Sequence, residues 1–159
     1  MDAAALARAC AEAMWAEDVA SRGLGMRLIS AEPGRAVLGM TVSDAMVNGH
    51  GLCHGGFIFM LADSAFATAC NSYNRRAVGH HCAITFLSPA RSGDRLLARA
   101  IERSRATRSG LYDVTVTSEE GPVIAEFRGH SRMIEGEIIP GLAPPRGVGF
   151  VNCRGAHHD

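Results

Sequence analysis

The sequence predicts an α+β domain in which an antiparallel sheet wraps one long central helix, with a further helix at the N-terminus. Three observations carry this. An apolar stretch from His54 to about Asn71 is too long for an ordinary strand. Four strand-like blocks follow it, separated by turn residues. Two more strand-like runs precede it, after an alanine-rich opening segment.

Asp2 to Val19 is rich in Ala and reads as one amphipathic helix, with Asp2 as N-cap and Gly23 and Gly25 past its end. Met26–Ala31 and Arg35–Val42 read as two strands joined by a turn at Pro33-Gly34. Asp44–Cys53 reads as a loop. The segment "HGGFIFMLADSAFATAC" is rich in Ala, Leu, Met and Phe and apolar nearly all round, which predicts a helix buried on most sides. Ala77–Leu87, Arg95–Glu102, Leu111–Thr117 and Val123–Ile134 then read as strands of a meander, with Glu119-Glu120-Gly121 as one of its turns. A single sheet offers the helix one face, so its other face must be solvated or covered by another subunit. Residues 1–139 are expected to form one domain, and the Pro- and Gly-rich residues 140–159 a mobile tail with a solvated His157-His158.

Apolar residues make up 47% and charged residues 20% of the 159, as in an ordinary globular domain. Sixteen basic residues balance sixteen acidic ones, which argues against a nucleic-acid partner. All the basic residues are Arg, which a coding bias explains; Arg also suits bidentate phosphate contacts. The five cysteines are odd in number and form no CxxC pair, so they read as reduced thiols rather than disulfides or a zinc site. No secretory signal pattern is present, and Phe57–Cys70 is too short to span a bilayer. A cytoplasmic protein with no membrane partner is expected.

Asp63 is the one charge within Phe57–Cys70. A carboxylate in apolar surroundings costs several kcal/mol unless paired or hydrogen-bonded. One reading is structural, with the carboxylate bonded to nearby backbone and Ser64 and Thr68 helping. Another is an interfacial, exposed acid. A third takes His54-Gly55-Gly56 into account. The first N–H groups of a helix lack internal partners and carry the positive end of its dipole. Glycine lets a substrate approach that backbone, where an N–H can hold a developing oxyanion. The motif opens nine residues before Asp63, a span of about 13–14 Å. If both groups act on one carbonyl, they must come from two chains, which predicts a dimer.

The stretches "NGHGLCHGGFIFMLADSAFATACNS", "ITFLSPARSGD" and "GLYDVTVTSEEGPVIAEFRGHSRMI" together resemble the PaaI-type, phenylacetate-degradation thioesterases of the hotdog superfamily, over roughly Gly25–Gly136. The resemblance implies hydrolysis of an acyl-CoA thioester with an aryl or hydroxyaryl acyl group, in a homotetramer of dimers. It implies that Asp63 is general base or nucleophile and that Gly55 gives its N–H to the thioester carbonyl. Asn48 would orient substrate or water, and His54 would fix the loop or move a proton. No cofactor is implied, CoA being part of the substrate. Relatives often carry a small hydroxyl residue near the start of the third strand, where this chain has Gly79-His80-His81-Cys82.

CoA brings phosphates. Arg91, Arg105, Thr107, Arg108, Ser109 and Gly110 lie at turns where family members hold CoA, and Arg128 and Arg132 are further candidates. Each Arg also reads as a solvated surface residue. His80, His81 and Cys82 point to alternating faces and make a poor metal set. A Cys53–His54 nucleophile pair is disfavoured because neighbouring side chains rarely face each other. Two readings compete with hydrolysis: a non-catalytic acyl-CoA binding module, and a hotdog enoyl-CoA hydratase or dehydratase.

Overall fold

The computed structural model describes residues 1–119 and 121–146. Cys153, His157 and His158, Glu120 of the expected turn and most of the expected tail lie outside the described residues.

Helix α1 spans Ala3–Glu17, and Asp2 caps it by accepting the Ala5 N–H at 2.7 Å. The single expected helix is in fact two. Asp18 ends α1 and its carboxylate accepts the Ser21 N–H at 2.9 Å, starting a short α2 at Val19–Gly23. An Asp with a free carboxylate prefers such a cap to a helix interior. α1 buries Leu6, Ala7, Cys10 and Ala11 and packs on the first strand.

Strands β1 (Arg27–Glu32) and β2 (Arg35–Thr41) form a hairpin, and Gly34 takes φ 69° in its turn. The following loop holds a short 3-10 turn at Asp44–Met46 and a bridge between Val47 and Cys53. The central helix, α3, spans Gly55–Cys70 between His54 as N-cap and Asn71 as C-cap. Strands β3 (Ala77–Phe86), β4 (Arg95–Arg105), β5 (Ser109–Ser118) and β6 (Val123–Met133) follow.

All pairings are antiparallel and the sheet order is β1-β2-β4-β5-β6-β3. Only β4, β5 and β6 form the expected meander. β3 crosses to the far side and becomes an edge, paired within the chain to β6 alone. The sheet curls round α3, which touches every strand. In β5, Gly110, Tyr112, Val114 and Val116 are buried and alternate with less buried residues, as a strand with one face on a core requires. Leu38, Met40, Leu61, Phe66, Leu96 and Phe127 complete the centre, each worth about 1.5–3 kcal/mol when buried. Gly79 and Gly129 make room for Phe66, since a Cβ on either would come within 2.9 Å of its ring.

Asn74 has φ 57° and is buried. Its amide binds the Ile139 N–H at 2.8 Å and the carbonyls of Ile139 and Leu142 at 3.0 and 2.6 Å, fastening the chain after β6. Among the described residues no helix is long and apolar enough to cross a membrane.

Candidate active site

The loop before α3 is built by Asn48. Its Oδ1 accepts the N–H groups of His50 and Leu52 at 2.9 and 3.2 Å, and its own N–H donates to the Leu52 carbonyl at 2.8 Å. The side-chain oxygen is thereby committed to the loop. Its NH2 has no acceptor among the described residues.

His54 closes the same loop. Its backbone N–H donates to Met46 at 2.8 Å, and its Nδ1 accepts the Gly56 N–H at 2.9 Å. Phe57 N–H goes to the His54 carbonyl at 3.0 Å. The N–H of Gly55 is left over: no acceptor among the described residues takes it. A helix start leaves such donors for an anion or an oxyanion. Gly55 is half-buried beneath Phe86, whose ring would lie 2.8 Å from a Cβ added there. Glycine fits under the ring as it stands, with the N–H accessible; a Cβ would push the Phe86 ring aside.

Asn48 and Gly55 line one cleft of about 460 Å³, with Leu52, Phe86, Leu87 and Ser88. The sequence reading passed over Phe86 and Leu87. Their signal was an apolar pair just before Ser88-Pro89, which in the structure stays about half exposed, at 51% and 56%.

Asp63 lies eight positions along α3 from Gly55, a rise of about 12 Å, and does not line that cleft. It is half-buried, and burial pushes its carboxyl above the usual carboxylate range. Ser64 and Thr68 do not serve it. Ser64 Oγ lies 2.9 Å from Ser21 Oγ, and Thr68 donates to the Ser64 carbonyl at 2.9 Å. Asp63 has no hydrogen-bond partner among the described residues. The charge lowers the tendency of the nearby Cys70 and Cys82 thiols to ionise, although burial is the larger cause for both.

The expected phosphate-binding residues divide. Arg91, Thr107 and Arg108 are exposed on turns and Ser109 is exposed at the start of β5, whereas Gly110 is buried in β5 against Ser131 and Tyr112. Two arginines are spent on internal contacts. Arg105 lies over the Tyr73 ring at 3.6 Å and pairs with Glu102 at 3.7 Å, its side chain only 13% exposed. Glu102 also accepts the hydroxyls of Tyr73 and Tyr112 at 3.0 and 2.8 Å. Burial, with Glu102 alongside, pushes Tyr73 up to about 12. Arg128 makes a two-pronged bond to Asp113 at 2.6 and 2.9 Å, and Arg103 shares the same carboxylate. That pairing holds Asp113 below the usual carboxylate range. Both arginines also read from the sequence as surface cations; the Tyr73 ring under Arg105 and the Asp113 carboxylate at Arg128 are distant in the chain.

Residues 50–125 match the thioesterase superfamily. The chain is 44% identical over 128 residues to the acyl-coenzyme A thioesterase PaaI of Escherichia coli, covering 80% of this chain and 91% of that protein. The structure of E. coli PaaI superposes with a TM-score of 0.83 at 42% identity, covering 84% and 97% of the two chains. A Streptococcus mutans protein solved with acetyl-CoA bound gives a TM-score of 0.68 at 26% identity, over 70% and 90%. Fold and sequence thus define a hotdog-fold thioester hydrolase. Within that class, the chain belongs to the thioesterase superfamily and is of the PaaI type.

Proposed function

We propose that the chain is an acyl-CoA thioesterase for aryl or hydroxyaryl acyl groups such as phenylacetyl-CoA, with each site built across a two-fold dimer. One subunit supplies Gly55 and Asn48, and its partner supplies Asp63. The supporting observation is that the unpaired Gly55 N–H and the Asn48 amide share a cleft from which Asp63 of the same helix is absent. The ten-residue edge strand β3, with Val78 and Phe86 exposed at its two ends, is where such a dimer would continue the sheet. The exposed Phe86 ring beside Gly55 suits an aryl acyl group.

In this reading the thioester carbonyl accepts the Gly55 N–H, and the positive end of α3 stabilises the charge that forms on it. The Asn48 NH2 orients the substrate or the attacking water. Asp63, ionised, either takes a proton from that water or attacks the carbonyl carbon itself. If water attacks, the C–S bond breaks as Asp63 passes the proton it took to the departing thiolate. If Asp63 attacks, the C–S bond breaks to leave a mixed anhydride. Water hydrolyses this to the free acid and Asp63, with a proton of that water going to the thiolate. His54 is a positioning residue, since its Nδ1 already serves the helix start. The reaction uses no cofactor. The four described cysteines are free, which supports a reducing, cytoplasmic setting. Two dimers would complete a homotetramer.

Thiol release from phenylacetyl-CoA and hydroxyphenylacetyl-CoA tests this. Wild type is expected to turn over both, and Asp63→Asn to lose at least about 100-fold. Equal rates in the two proteins would remove Asp63 from the chemistry.

A further inference from the structure

A cavity of about 440 Å³ lies between α1 and α3 and shares no residue with the Gly55 cleft. Met14 and Trp15 of α1 and Ser64, Ala67 and Thr68 of α3 line it, and Ile134, just after β6, closes one side. The wall beyond β6 is held in place. Asn74 binds the backbone of Ile139, next to Ile138 of the cavity lining. Trp15 packs against the hydrophobic core and is the one tryptophan of the chain. The volume falls in the range of small-molecule sites, roughly 300–1,000 Å³.

Ala67 connects this cavity to Asp63. It stands four positions further along α3 and on the same face, a rise of about 6 Å. Both belong to a stripe of α3 that the rest of the chain leaves partly open: Phe59, Met60, Asp63, Ser64 and Ala67 are all half-buried. Two members of that stripe, Ser64 and Ala67, also line the cavity.

A two-fold pairing that sets Gly55 of the partner subunit opposite Asp63 makes Phe59 the midpoint, so Phe59 meets its own copy. Phe59 is also held from within, its ring 5.4 Å from that of Phe127. The way from Asp63 towards the start of α3 is then filled. The way towards the end of α3 leads past Ala67 into the cavity. Charge on the cavity wall disfavours a phosphate there, since Glu17, Asp18 and Glu137 stand with a single cation, Arg76. Trp15, Met14 and Ile134 suit an uncharged, apolar group instead.

We propose that the acyl group of the substrate lies in this cavity of the Asp63 subunit, and that Trp15 sets the length of acyl group admitted. This rests on the dimeric thioesterase reading above. Gly55 of the partner subunit holds the carbonyl, and the partner's Phe86 flanks the acyl group where it leaves that carbonyl. The far end of the group meets Trp15. Helix α1 lies outside the residues 50–125 that match the thioesterase superfamily, whereas Gly55 and Asp63 lie within them. Acyl preference is then carried by an element added to the shared hydrolytic region. Trp15 acts on specificity and takes no part in the bond-breaking step.

As the one tryptophan, Trp15 supplies its own readout. Its fluorescence is followed on adding CoA and on adding phenylacetonyl-CoA, a thioether in which a CH2 between sulfur and carbonyl prevents hydrolysis. Calorimetry measures the binding of both. The thioether is expected to change the emission and CoA to leave it as it was. Hydrolysis of phenylacetyl-CoA and 4-phenylbutyryl-CoA is then compared in wild type and Trp15→Ala. The variant should raise kcat/KM for the longer thioester relative to the shorter by about tenfold or more. This ratio belongs to the folded molecules alone, so it does not depend on how much of the variant folds. Ala67→Leu, which narrows the passage, should weaken the thioether relative to CoA by about tenfold or more. No binding of the thioether by wild type, emission that ignores the bound thioether, a wild-type ratio in Trp15→Ala, or unchanged relative binding in Ala67→Leu would each overturn the proposal. A thioether that changes the emission of a wild type unable to hydrolyse either thioester would leave the acyl cavity standing and remove the thioesterase reading instead.

Discussion

At the scale of the residue, Asp63 works against the fold that holds it. Its carboxyl titrates above the usual range because burial disfavours the charge and no donor among the described residues offsets it. The sign of the effect follows from linkage. A raised folded-state pKa means that the native state holds its proton longer than the unfolded state does. Stability therefore falls as pH rises from the unfolded value, near 3.8, through the folded one, and the penalty is complete only above the folded value. Asp63→Asn should then be more stable than wild type once pH exceeds the folded value, and the gap should close on acidification below the unfolded pKa. Thermal melts of the two proteins from pH 3 to pH 8 check this. A gap independent of pH would mean that the side chain, not its charge, is at issue. On the proposed mechanism the ionised form is the reactive one, so kcat/KM should rise with pH through an apparent pKa above that of an ordinary carboxylate. The oddity of this acid was legible in the sequence as one charge in an apolar run. Its isolation was not: Ser64 and Thr68 stood near enough to serve it, and only the three-dimensional contacts show them bonded elsewhere.

At the scale of the element, the start of α3 decides which N–H groups remain for substrate. His54 Nδ1 takes the Gly56 donor and leaves the Gly55 donor open. This separates a positioning role from proton transfer. His54→Asn keeps a side-chain acceptor at the N-cap and should hold stability and kcat within a few-fold, whereas His54→Ala should lose about 1 kcal/mol of stability. A His acting on protons would lose activity in both variants, and its pH–rate profile would change in the Asn variant. Helix α3 was readable within a residue at each end, because a long apolar run behind His-Gly-Gly has few other solutions. The break at Asp18 was less visible. Its side chain both ends one helix and begins the next, and an Ala-rich periodicity conceals such a cap. The strands themselves were legible from alternation, but their order was not. Nothing local tells β3 to cross the sheet, pair with β6 and leave an edge bare. The Phe66 ring lies against both Gly79 of β3 and Gly129 of β6, a long-range contact that no local pattern announces.

At the scale of the whole molecule, the separation of Gly55 from Asp63 becomes a statement about assembly. Both groups sit on one rigid helix about 12 Å apart, so no movement of that helix brings them together. A second copy can, and the exposed strand β3 offers the surface along which a second copy adds to the sheet. The consequence is measurable without a structure of the dimer. In the proposed homodimer, Asp63→Asn and Asn48→Ala each damage both sites, but from opposite sides. When the two variants share a dimer, one site receives both defects and the other receives neither. Co-expressed in equal amounts, two nearly inactive proteins should therefore recover about a quarter of wild-type activity, because half of random dimers are mixed and each holds one intact site. Purifying the mixed species through two different tags should raise this to about half. If Asp63 served the Gly55 cleft of its own chain, every site in the mixture would carry one defect and no activity would return.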